Sequence, residues 1–133
     1  MTHTPIFVLD QDEALDFYTN KLGFNVHTDA MMGTSFRWLT VTASDAPDFE
    51  IILMKAAAGI TFDDASAAKL KELVEAGKMG AGVFETNNCR ATYEELKSKG
   101  VVFISPPEDK FYGVEAVFKD NSGNCFSLTE RKK

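Results

Sequence analysis

The feature that most constrains this chain is an internal repeat. Asp10 and Asn87, both placed to cap a helix, stand 77 residues apart. Ala14 and Ala91 share that offset, and so do the helix-ending glycines Gly23 and Gly100. Each half reads strand–helix–strand–strand–strand. The chain is therefore expected to be α+β, two copies of one βαβββ module over about 1–55 and 79–133, joined by a helical linker over about 56–78. All of it, 1–133, is expected to form a single domain.

Local signals give the elements. Residues 4–9 read as a strand, edge-compatible because Pro5 cannot donate to a ladder. Asp10 with Glu13 forms a capping-box pattern, Ala14, Phe17, Tyr18 and Leu22 recur at helical spacing, and Gly23 stops the helix. Strands are predicted over 24–30, 35–42 and 49–54, with the stretch from Ser44 through Pro47 to Asp48 as a turn. A helix over 65–76, capped by Asp63 or Asp64, leads to a strand over 79–86 and a helix over 88–99. Strands over 101–105, 111–119 and 124–129 follow, separated by Pro106-Pro107 and by Asp120-Asn121-Ser122-Gly123.

Composition excludes several classes. With 133 residues, 44% apolar and 26% charged, the chain is neither disordered nor collagen-like. No apolar run approaches the roughly 20 residues of a membrane span. The opening Met1-Thr2-His3-Thr4-Pro5 has no basic region, so no signal peptide is expected. The net charge is −6, and residues 1–50 carry eight acids against two bases. Such a chain repels a phosphate backbone, so nucleic acid is not an expected partner. Cys89 and Cys125 form no CxxC pair and suit a reducing compartment, hence a cytoplasmic location. Cys89, at a helix start, reads as a buried inert thiol. No nucleophile elbow and no phosphate loop is present.

Three stretches resemble the vicinal oxygen chelate superfamily, the glyoxalase, bleomycin-resistance and extradiol-dioxygenase group. They are Val8-Leu9-Asp10 with Ala14, Phe17-Tyr18 and Leu22-Gly23-Phe24; Phe84-Glu85-Thr86-Asn87 with Leu96 and Gly100-Val101; and Asp120-Asn121-Ser122-Gly123-Asn124-Cys125-Phe126. The resemblance implies paired βαβββ modules whose curved mixed sheets enclose a cleft. It also implies a divalent metal held there by four side chains, with positions left open for substrate. Of those four positions His3 and Glu50 match, while Ala81 and Ser127 do not. The resemblance thus points to a protein that binds a small organic molecule without the complete family metal site and with no cofactor. The alternative is a divalent-metal-dependent lyase or dioxygenase, its ligands completed by Glu115, Asp48 or a partner chain. A homodimer is expected, as family members pair modules across chains and C2 pairing is the commonest assembly.

Strand alternation assigns faces. Phe49, Ile51 and Leu53 are expected to pack on the helices, leaving Asp48, Glu50, Ile52 and Met54 to the cleft. On the last strand Phe126 and Leu128 pack inward, and Cys125, Ser127 and Thr129 face the cleft. Leu39 and Val41 are core, and Phe36, Trp38 and Thr40 face the cleft. The repeat maps Trp38 onto Glu115, which should look inward as well. The candidate ligand-binding residues are therefore Phe36, Trp38, Glu50, Tyr112, Glu115 and Ser127. Trp38, the only tryptophan, serves either the core or a stacking wall. Glu50 is either a cleft carboxyl with a raised pKa or an edge residue in solvent. His3 is read as a terminal residue in solvent or a ligand, and His27 as an exposed strand residue outside the pattern.

Overall fold

The computed structural model describes residues 1–59 and 62–133; Ile60 and Thr61, inside the linker expected over 56–78, lie outside the described residues. The first half runs β1 (His3–Val8), α1 (Gln11–Asp16), a π-helical turn (Phe17–Lys21), β2 (Asn25–Met32), β3 (Phe36–Ala43) and β4 (Ala46–Lys55). After α2 (Asp64–Glu75) come β5 (Gly80–Glu85), α3 (Cys89–Ser98), β6 (Val102–Lys110), β7 (Gly113–Lys119) and β8 (Cys125–Arg131). The strands form two four-stranded mixed sheets, ordered β1-β4-β3-β2 and β5-β8-β7-β6. The first strand of each half pairs in parallel with the last, and the other pairs are antiparallel. The fold is thus α+β, with two modules of one topology.

Capping chemistry sets the helix starts. The Asp10 side chain accepts from the Glu13 N–H at 2.9 Å. The second module is capped by Asn88, which accepts from the Ala91 N–H at 3.0 Å, and not by Asn87 as the constant offset suggested. The π-helical turn explains the discrepancy. Such a turn is a one-residue insertion in a helix, so Asp10 lies one residue further from Gly23 than Asn88 does from Gly100. Both glycines take positive φ, 77° and 89°, as the helix-stopping position requires.

Two strand boundaries differ from expectation. Ala46 and Pro47 belong to β4, because Ala43 pairs with Ala46 and only Ser44-Asp45 turns. Pro106 and Pro107 lie inside β6 rather than between strands. They are tolerated because β6 is an edge strand, and the ladder register slips between Ser105 and Glu108, where the missing N–H groups fall.

One contiguous core joins the modules. Ile6, Val8, Leu39, Val41, Ile51 and Leu53 from the first sheet meet Ala116, Phe118, Phe126 and Leu128 from the second. Burial of each large side chain contributes about 1.5–3 kcal/mol. Polar groups staple the halves together. Tyr18 donates to Asp120 at 2.7 Å, the Leu9 N–H donates to Ser122 at 3.0 Å, and Asn124 donates to the Phe7 carbonyl at 2.8 Å. Asp120 also accepts from the backbone N–H groups of Ser122, Gly123 and Asn124. Burial and the neighbouring Asp120 carboxylate push the Tyr18 hydroxyl well up, so it stays a donor. Among the described residues, no helix is long and apolar enough to cross a membrane.

Candidate functional site

The faces of the sheets opposite the common core carry the chemistry. On the first sheet Glu50 stands directly across from His3 in the parallel β1–β4 ladder. His3 Nε2 lies 2.6 Å from Glu50 Oε2. The hydroxyl of fully buried Thr40, on β3, donates to Glu50 Oε1 at 2.8 Å. His27 Nδ1 completes the group, 2.9 Å from the same oxygen. The Trp38 ring is half-buried, its centroid 6.3 Å from that of His3. All four strands of the sheet therefore converge on one carboxylate.

His27 is an exposed strand residue, as the sequence reading has it, but the structure also brings it into the Glu50 group. Val26 pairs with Val41 and Thr28 with Thr40, so two steps on β2 oppose one on β3. His27 is the extra residue of a β-bulge, and bulges re-aim side chains. Alternation alone cannot find it, since the bulge breaks the alternation. His27 Nδ1 also lies 2.9 Å from the Thr28 hydroxyl, and its Nε2 has no hydrogen-bond partner among the described residues.

Glu50 is also corrected. The Thr40 hydrogen bond, aided by His27 and His3, holds its carboxyl below the usual range and outweighs the opposing effect of burial. It is an ionised acceptor, not a raised-pKa acid. Phe49, expected to pack on the helices with Ile51 and Leu53, is 37% exposed.

The second sheet carries a different group. Glu115 on β7 accepts from Tyr112 at 2.7 Å and from Ser127 on β8. Ser127 also shares a hydrogen bond of 2.9 Å with Thr129. The Ser127 bond, then the Tyr112 bond, lowers the Glu115 pKa, and the Glu115 carboxylate raises that of Tyr112. No hydrogen bond or ring contact links this cluster to the Glu50 cluster among the described residues. Phe36 belongs to neither, and lines a small cavity of about 100 Å³ with Gln11, Arg37, Met54 and Phe62. Cys89 is buried, its Sγ donating to the Leu128 carbonyl at 3.4 Å, and burial pushes its thiol up.

The four family positions do not supply a complete set of side-chain ligands for a divalent ion: the first module offers His3 and Glu50. In the second module Ala81 offers no donor, and the Ser127 hydroxyl is committed to Glu115. Among the described residues, no group of three or more His, Cys, Asp or Glu is set to hold a metal ion.

Paired βαβββ modules with side-chain clusters on their outer sheet faces define the class. The chain belongs to the glyoxalase/bleomycin resistance protein/dioxygenase superfamily, whose family model matches residues 1–128. It is similar to UcmS2, whose crystal structure superposes with a TM-score of 0.91 at 45% identity, covering 97% of this chain and 96% of that one. TnmS3, an antibiotic binding protein from Streptomyces sp. CB03234, superposes with a TM-score of 0.76 at 25% identity, covering 99% and 95%. The uncharacterized protein YurT of Bacillus subtilis (strain 168) is 34% identical over 128 residues, 96% of each chain.

Proposed function

We propose that this chain is a metal-independent binding protein for a small organic molecule, acting in the cytoplasm as a homodimer that sequesters an antibiotic-like compound. The observation that carries this reading is the state of Glu50. Thr40, His27 and His3 fix the carboxylate in place beside the Trp38 ring, and its remaining acceptor capacity receives a ligand's donor. An aromatic wall with a few convergent polar groups is the usual make-up of a small-molecule site. The likeness to TnmS3, an antibiotic binding protein, supports the same reading. In this proposal Trp38 and Glu50 supply one side of the site, and Tyr112, Glu115 and Ser127 the other. The inner sheet faces already meet in one core, so a second copy of the chain is what can cover the outer ones.

Two ionised carboxylates favour a cationic or hydrogen-bond-donating planar ligand over an anion. Fluorescence titration tests this: planar cationic aromatics should quench Trp38 saturably, and nucleotides should not. Elemental analysis giving one zinc, nickel, manganese or iron per chain, lost in Glu50→Ala, would overturn the metal-independent reading in favour of a lyase or dioxygenase. A sedimentation mass of a single chain at micromolar concentration would overturn the dimer.

A further inference from the structure

A cavity of about 500 Å³ lies between the modules, and none of its lining residues belongs to the site proposed above. Its walls include Phe24, Phe49 and Ile51 from the first module and Phe84, Leu96 and Leu128 from the second. Ile51 and Leu128 are on the core face of their strands, opposite the neighbouring Glu50 and Ser127. This volume falls within the range of small-molecule sites. The modules are stapled at one end, where Tyr18, Leu9 and Phe7 bond to the Asp120–Asn124 loop. The cavity is bounded instead by the exposed Ser44-Asp45 hairpin and by β5. Its apolar wall is not sealed, since Phe49 is 37% exposed.

The wall chemistry specifies an occupant. Phe24 and Phe84 meet edge to face, with centroids 5.4 Å apart, leaving aromatic surface for a flat ring. The polar groups among the apolar walls are the hydroxyls of Thr86 and Thr92, 2.7 Å apart. That bond uses one hydroxyl proton, and Thr86 also accepts from the Asn88 N–H at 3.3 Å. The second hydroxyl proton has no acceptor among the described residues, so the pair presents one free donor. The charges at the rim balance. Glu85 is bound by Arg131 at 2.8 Å and Glu95 by Lys99 at 3.5 Å, which leaves Lys21 and Asp45, one of each sign. An ionic ligand would lose its hydration there without a net counter-charge.

We infer that this intermodular cavity is a second binding site, taking a neutral planar aromatic compound that bears one carbonyl-type acceptor. The acceptor receives the free threonine proton, and the ring system lies among Phe24, Phe49 and Phe84.

The probe is 6-propionyl-2-dimethylaminonaphthalene, a neutral aromatic ketone whose emission shifts to the blue in apolar surroundings. The wild-type chain should bind it saturably with a blue shift. Trp38→Phe should retain that binding, because Trp38 lies outside this cavity. Leu96→Trp, which fills the cavity, should abolish it. Ala46→Trp blocks the mouth from an exposed position and should abolish it as well, whether or not the Leu96 variant folds. The Thr86→Val/Thr92→Val double variant should lose about tenfold in affinity, the size expected for one well-made hydrogen bond. Anilinonaphthalenesulfonate, an anion of similar size, should bind at least tenfold more weakly. Absence of saturable binding would overturn the inference. So would binding lost in Trp38→Phe yet kept in Ala46→Trp, or a preference for the anion.

Discussion

The two modules share one topology and differ in what they do with it. In the first, the outer sheet face gathers two imidazoles and a buried threonine around Glu50. In the second, hydroxyls from Tyr112 and Ser127 surround Glu115. The turns before the last strands differ as well. Ser44-Asp45 is a short exposed hairpin, whereas the Asp120–Asn124 loop is largely buried, saturates its own backbone donors and ties the modules together. The repeat thus divides labour. The second module's loop holds the halves in register, and the first module's sheet carries the more versatile chemistry, because imidazoles both donate and accept.

The largest expected effect lies in the loops. Asp120→Ala strips acceptors from the buried Tyr18 hydroxyl, from three backbone N–H groups and from the Asn124 amide. Water can reach some of these groups, so a loss of about 3–5 kcal/mol is expected in urea unfolding. Gly123→Ala should be comparably severe, because φ is +117° and a Cβ there would overlap the Val74 carbonyl oxygen. Asp45→Ala, on the exposed hairpin, should stay within about 0.5 kcal/mol of wild type. Equal losses at Asp45 and Asp120 would erase the distinction between the loops.

Affinity for the ligand of the outer site separates the modules next. Glu50→Gln replaces one accepting oxygen with an amide N–H that faces a donor already in place. On the order of a tenfold loss in the fluorescence titration is expected, as for a hydrogen bond to a charged group. Trp38→Phe should keep the fold and cost several-fold, given about 0.5–1.5 kcal/mol for an aromatic contact beyond burial. A loss larger for Trp38→Phe than for Glu50→Gln would make stacking, not the carboxylate, the chief determinant.

Much of this was legible in the residues, and two of the failures share a cause. Asp10 with Glu13, the glycines ending both helices, and the alternation that puts Phe126 and Leu128 inward with Ser127 outward are local signals, and local signals survive folding. The second helix cap and the place of His27 were concealed by single-residue insertions. A π-helical turn in the first module moved the second cap from the expected Asn87 to Asn88. A bulge in β2 turned His27 toward Glu50, although its spacing matched no motif. Both devices add a residue without changing composition, so neither period nor offset reveals them. The direction of the Glu50 shift was hidden for another reason. It is set by Thr40 on β3, ten positions away in sequence, and only the ladder brings the two together.

The smallest effect concerns pH and the hydroxyl cluster. Glu115 is lowered from its ordinary value of 4.5, chiefly by Ser127 and then by Tyr112. A carboxyl whose pKa is depressed on folding stabilises the native state above the unfolded-state pKa, and that contribution is lost as pH falls through the folded-state value. The urea midpoint of the wild-type chain should therefore fall as pH drops below about 4.5, and Glu115→Gln should show a shallower fall over the same window. The change is small because the group is near solvent, where charge interactions are weak. Within it, Ser127→Ala should flatten the dependence more than Tyr112→Phe, since the serine is the larger cause. The opposite order would mean that the tyrosine in the turn, and not the serine on the central strand, governs the ionisation of the second module's carboxylate.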